Sequence, residues 1–144
     1  MFKKTITYTD YNGVERTENF YFNLTTNELI RLEIGRDGGF EAYLKKIIDA
    51  KDAPEIMEAF NSLIMLSYGI KSDDGRRFIK SKQISEEFSQ TPAYDVLFLE
   101  LCTDDKKAAE FVNGIMPKVK TGSSDPDKPD LKLASMNVLN NDVE

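Results

Sequence analysis

Asp52-Ala53-Pro54-Glu55-Ile56-Met57-Glu58-Ala59-Phe60-Asn61-Ser62-Leu63-Ile64-Met65-Leu66-Ser67-Tyr68 is the stretch around which the chain is arranged. Asp52 or Ala53 stands at the N-cap, Pro54 falls at the start, and Glu55 suits the positive end of the helix dipole. Ile56, Met57, Phe60, Leu63, Ile64 and Tyr68 recur at helical spacing, and Leu63 to Leu66 is apolar on every side. A helix with that pattern is surrounded by other elements. The polar run Gly69-Ile70-Lys71-Ser72-Asp73-Asp74-Gly75-Arg76-Arg77 then reads as the loop that turns the chain back.

Upstream, Lys4-Thr5-Ile6-Thr7-Tyr8-Thr9 and Thr17-Glu18-Asn19-Phe20-Tyr21-Phe22 read as the strands of a β-hairpin. A two-residue Asn12-Gly13 loop sets Ile6 and Tyr8 on the face of Glu15, Thr17 and Asn19. A three-residue Tyr11-Asn12-Gly13 loop, with Gly13 left-handed in a bulge, groups Phe2, Ile6 and Tyr8 with Val14, Phe20 and Phe22. A one-residue slip turns over every side chain, so the bulged register is expected. Thr25 and Glu28 form a capping box, with Leu24 and Leu29 placed as a staple and Gly35 as the stop. Phe40, Tyr43, Leu44, Ile47 and Ile48 mark a second amphipathic helix.

Downstream, Ile84 and Phe88 mark a short helix. Thr91-Pro92 opens another, carrying Tyr94, Leu97, Phe98 and Leu101. Thr103-Asp104-Asp105 caps the last, with Ala108, Phe111, Val112, Ile115 and Met116 inward. The expected fold is mainly α: an N-terminal β-hairpin, then a bundle of about five or six helices. The expected domain is 1–117, with the hairpin in 1–22 and the helical part in 23–117. Residues 118–144 are rich in Pro, Asp, Ser and Gly as far as Asp130, and are expected to form a flexible tail.

Composition excludes several functions. The 144 residues carry a net charge of −6, which argues against a nucleic-acid or anionic-membrane surface. No apolar run approaches a membrane span, and a cytoplasmic protein is expected. There is no histidine and one cysteine, Cys102, so His triads, His metal sites, cysteine zinc clusters and intramolecular disulfides are excluded. No cofactor is expected. Cys102 reads as an inert thiol at an apolar helix end.

The acidic pairs Asp73-Asp74, Glu86-Glu87 and Asp104-Asp105 are adjacent in sequence, so no pair shares a helix face for acid–base work. Gly35-Arg36-Asp37-Gly38-Gly39 lacks any phosphate-binding pattern and reads as a turn. Arg76, Arg77, Lys80 and Lys82 form the basic cluster of the folded part. It reads first as a salt-bridged loop beside Asp73 and Asp74, and second as a contact for a protein partner. Phe20 and Phe22 flank Tyr21, so aromatic groups fall on both sides of that strand. An exposed patch there marks an interaction site or a subunit contact, which leaves a homo-oligomer open. Arg76, Arg77, Lys80, Phe20 and Phe22 are the candidate partner-binding residues.

Several blocks carry a resemblance in order along the chain. They are Tyr8-Thr9-Asp10-Tyr11-Asn12-Gly13-Val14, Phe20-Tyr21-Phe22-Asn23-Leu24-Thr25, Ser67-Tyr68-Gly69, Asp74-Gly75-Arg76-Arg77-Phe78-Ile79-Lys80-Ser81, Phe88-Ser89-Gln90-Thr91 and Phe111-Val112-Asn113-Gly114-Ile115. Together they resemble the tail assembly chaperones of long-tailed bacteriophages and related prophages, over residues 3 to 117. The resemblance implies a non-enzymatic protein that binds the tape measure protein, keeps it soluble and assists tail tube assembly in the host cytoplasm. It also implies, for many members, a longer frameshifted form that recruits the tail tube protein. It supplies no catalytic residues. Two other readings are a structural tail component retained in the virion and a small acidic regulatory binding protein.

Overall fold

The computed structural model describes residues 1–34 and 38–117. Gly35, expected to stop the first helix, and the expected tail at 118–144 lie outside the described residues. The order is β1 (Phe2–Thr9), β2 (Glu15–Phe22), α1 (Thr26–Glu33), α2 (Gly39–Asp49), α3 (Ala53–Ser67), β3 (Tyr68–Lys71), β4 (Phe78–Ile79), α4 (Lys82–Ser89), α5 (Pro92–Thr103) and α6 (Asp105–Ile115). The fold is mainly α, with an N-terminal hairpin and six helices among the described residues.

The hairpin takes the bulged register. Phe2 pairs with Phe22, Ile6 with Glu18 and Tyr8 with Arg16. Gly13 has φ +81, and its N–H donates to Asp10 O at 2.9 Å. Asp10 Oδ1 accepts from the N–H groups of Asn12 and Val14, so one carboxylate organises the turn. Phe2, Ile6, Phe20 and Phe22 therefore face the core together. On the other face, Thr5 donates to Asn19 at 2.6 Å and the Thr7 and Thr17 hydroxyls meet at 2.9 Å. Val14, grouped with the inner face in the sequence reading, is half exposed because it sits in the turn, ahead of β2.

The run after the central helix is more than a loop. Tyr68 is the C-cap of α3 and the first residue of β3, with φ −67 and ψ 141. β3 pairs with β2 through Tyr21–Gly69 and Phe22–Tyr68, and β4 returns along β3. The sheet is four-stranded and antiparallel in the order β1-β2-β3-β4, so the helical part expected over 23–117 is interrupted by a second hairpin. A four-residue and a two-residue strand are too short to show alternation. Gly69 is needed at the crossing: a Cβ there would come within 2.7 Å of the Phe78 ring and 2.9 Å of Ile79 O.

Helices α1, α3, α5 and α6 start at the caps read from the sequence, and α4 begins at a Ser81 cap that the sequence reading did not single out. Thr25 and Glu28 complete their capping box at 3.2 and 2.9 Å. Asp52, Ser81, Thr91 and Asp104 cap α3, α4, α5 and α6 through their side chains. Ile6, Phe22, Leu24, Leu63, Ile64, Leu97, Phe111 and Ile115 form the centre of the core. Tyr68 stacks on Phe88 at 4.2 Å, and Phe22 meets Phe111 edge-on at 5.4 Å. Leu44, Ile47 and Phe60 are buried as expected. Phe98 is half-buried and stacks on Tyr94, while Ile48, Met57 and Leu66 reach solvent.

The two ends of the described chain are tied together. Leu24 N donates to Ile115 O at 2.9 Å, and Asn23 N to Ser67 O at 2.8 Å. Lys4 Nζ lies 2.6 Å from Glu100 Oε1, an ion pair without hydrogen-bond geometry that joins β1 to α5.

Candidate partner-binding surfaces

An open groove of about 650 Å³ runs between α2 and α3 on one side and α5 and α6 on the other. Leu44, Ile56, Phe60, Leu101, Ala108 and Val112 make it apolar, and Glu41, Lys45, Asp49 and Asp105 supply its charged groups. Its origin is local. α2 turns Leu44 and Ile47 into the core but leaves Ile48 41% exposed beside the groove. On α6, Ala108 and Ala109 stand where larger residues would fill the gap. Phe60 is 2% exposed and stiffens the wall from α3. Lys45 pairs with Asp49 at 3.5 Å on the exposed surface. Such a groove matches the apolar face of an amphipathic helix better than a polar small molecule.

Cys102 lines this groove and is half-buried. Burial pushes its thiol above the ordinary value. It is therefore mostly a neutral thiol at neutral pH, in keeping with the inert reading.

The five candidate residues are not brought together. Phe22 is fully buried between Tyr68, Phe88 and Phe111. Lys80 is turned inward: its Nζ donates to Asn23 O at 2.7 Å, Glu28 Oε1 at 2.5 Å and Leu66 O at 3.2 Å. It clamps the end of α3 to the segment before α1. Phe20 is half-buried against Phe88 at 5.2 Å and borders a shallow dent of about 190 Å³ with Tyr21 and Lys71. Lys71 Nζ lies 5.3 Å from the centre of the Tyr21 ring.

Arg76 and Arg77 are exposed on the β3–β4 turn. The expected salt-bridged loop takes another form. Asp74 Oδ1 accepts from the backbone N–H of Arg76 at 3.0 Å and from Ser72 Oγ at 2.8 Å, while Ser72 Oγ also accepts from Arg77 N. The backbone N–H of Arg76 and the Ser72 hydroxyl hold the Asp74 carboxyl below its ordinary value. Among the described residues neither guanidinium pairs with an acid. The arginines lie at the far end of α3 from the groove and contribute nothing to its lining.

The acidic pairs have structural partners. Asp104 caps α6, Lys82 approaches Glu86 at 4.0 Å, and Gln83 donates to Glu87 at 3.0 Å. At the start of α2, Glu33 Oε1 accepts from Phe40 N at 2.7 Å, so a carboxylate of the chain itself sits where an anion would. Among the described residues no cluster of His, Cys, Asp or Glu is arranged to hold a metal, and no helix is long and apolar enough to cross a membrane.

The sequence reading missed the groove because no single helix shows it. Each wall reads as an ordinary amphipathic face. The available signal was the surplus apolar residue on α2, Ile48, together with small residues on α6.

A search of curated proteins and a search of solved structures each find no match. A family model described as phage tail assembly chaperone matches residues 1–135. That match covers nearly the whole sequence and agrees with the residue blocks that carried the resemblance. A chaperone family implies protein partners in tail assembly. On this ground the chain belongs to the phage tail assembly chaperone family.

Proposed function

We propose that this protein binds apolar helical segments of a tape measure protein in the groove between α2, α3, α5 and α6, keeping that protein soluble until the tail tube assembles around it. The observation that carries the reading is the groove itself, an unfilled apolar surface among helices in a member of a tail-assembly chaperone family. A long amphipathic client exposes apolar stripes that aggregate, and covering them prevents this. Arg76 and Arg77 make a second, charged contact from the β3–β4 turn. They set orientation and on-rate while the groove sets most of the affinity. The work takes place in the host cytoplasm, and the tail tube protein is a second partner.

The test is to mix the protein with tape measure segments and follow light scattering and co-elution. The expected result is suppressed scattering and a soluble complex, both lost in Ile48→Glu. Ile48 is exposed enough for that charge to be tolerated by the fold. Equal aggregation with and without the protein, and no complex, sinks the reading. Its presence in purified virions would favour a structural tail component instead.

A further inference from the structure

We infer that the chain's own segment Leu131–Leu139 occupies the groove when no client is bound. The inference rests on the groove being the client site, since it makes the segment an internal competitor for that site. Three observations support it.

The first is pattern. Leu131, Leu133, Met136, Val138 and Leu139 crowd into nine residues after a polar stretch. Such a cluster needs an apolar surface to cover it. The family model also extends to residue 135, so the start of the segment belongs to the matched region.

The second is reach. α6 forms one wall of the groove through Ala108 and Val112, and the described chain ends just beyond it at Pro117. α6 has 11 residues, a length of about 16 Å at the helical rise. A flexible coil of 13 residues, the length of the run 118–130, would span about 20 Å. The linker thus matches the distance back along α6, and a match of this kind gives an effective concentration on the order of millimolar.

The third is charge. Glu41, Asp49 and Asp105 outnumber Lys45 around the groove. Lys132 is the one charged residue within Leu131–Leu139. The segment therefore brings a single cation to an acidic rim as its apolar side chains enter.

Cys102 supplies the probe, because it is the single thiol of the sequence and it lines the groove. The experiment measures its reaction rate with an aromatic disulfide reagent in the full chain and in Leu133→Asp with Met136→Asp. With millimolar effective concentration against an intrinsic affinity of about 0.1 mM, the variant should react roughly tenfold faster. The wild-type rate should not depend on protein concentration. Equal rates in the two proteins, with unchanged circular dichroism, overturn the proposal. Protection that grows with concentration also overturns it, because the occupant is then a second copy's segment. As a second measurement, Met136→Cys in oxidised glutathione should close an intramolecular disulfide to Cys102, and its failure to form counts against the docking.

Adding overlapping tape measure peptides to the variant separates the two ideas. Peptides that protect Cys102 while wild type and variant label alike leave the client reading standing and the segment refuted. A variant that labels faster but gains no protection from any peptide leaves the segment docked and removes the client from this groove.

Discussion

Phe2 packs so closely on Gly114 that a Cβ at position 114 would overlap its ring. Phe2 also meets Phe111 edge-on at 5.5 Å, so the first strand and the last helix interlock through a ring and a missing side chain. Alanine is the better helix former by about 1 kcal/mol. Overpacking costs about 1–3 kcal/mol. The clash should win, and Gly114→Ala should lose about 1 kcal/mol in urea denaturation. A gain in stability would mean that Phe2 moves aside freely.

Lys80 and Arg76 belong to one basic cluster in sequence but do different work. Lys80→Ala removes a half-buried ammonium from Glu28 and from the carbonyls of Asn23 and Leu66, and should cost about 1–3 kcal/mol. Arg76→Ala should change stability by less than about 0.5 kcal/mol. Equal melting shifts for the two variants would contradict this division.

The two hairpin turns should weaken in acid. Asp10 is held below its ordinary 3.8, first by the Arg16 guanidinium and then by the N–H of Val14. Asp74 is held below 3.8, first by the N–H of Arg76 and then by Ser72. A depressed carboxyl contributes stability that is fully present above its unfolded value and lost as pH falls through its folded value. The turns are therefore fully held at neutral pH and loosen only below the ordinary carboxylate range. Carboxyl carbon NMR titration should place both midpoints under 3.8, and a midpoint at or above it speaks against these hydrogen bonds.

Reversing charge on the β3–β4 turn should slow client association without abolishing it. Arg76→Glu with Arg77→Glu removes two positive charges and adds two negative ones to an already acidic protein. Stopped-flow mixing with tape measure segments should show a lower on-rate, and wild-type binding should survive moderate salt. Complete loss of binding in this variant would move the main contact from the groove to the turn.

The boundary proposed at Pro117 predicts the pattern of limited proteolysis. First cuts should fall between Lys118 and Asp130 and leave a stable fragment ending near Pro117. Early cuts within α2 or α3 would place the boundary elsewhere.

What the sequence disclosed depended on the length of each signal. The hairpin register was legible because only the bulged loop, which Gly13 permits, puts Phe2, Ile6 and Tyr8 on one face with Phe20 and Phe22. Caps at Thr25, Thr91 and Asp104 act within one helical turn, so their local patterns sufficed to place those helix starts. β3 and β4 were hidden because their pairing depends on β2, far away in sequence. The inward role of Lys80 was hidden for the same reason, since its acceptors come from Asn23, Glu28 and Leu66. The groove is a property of four helices at once and of no segment alone.

The interlock of Phe2 with α6, and the bond from Leu24 to Ile115, have a consequence for synthesis on the ribosome. The N-terminal hairpin emerges first, carrying Phe2, Ile6, Phe20 and Phe22 with nothing to cover them. Part of their cover, Phe111 and Gly114, lies on α6, the last of the described helices, so the core cannot close until Ile115 has left the exit tunnel. Contacts this distant in sequence slow folding. A newly made chain therefore passes through an interval in which it exposes the kind of surface that, once folded, it is proposed to shield in its client.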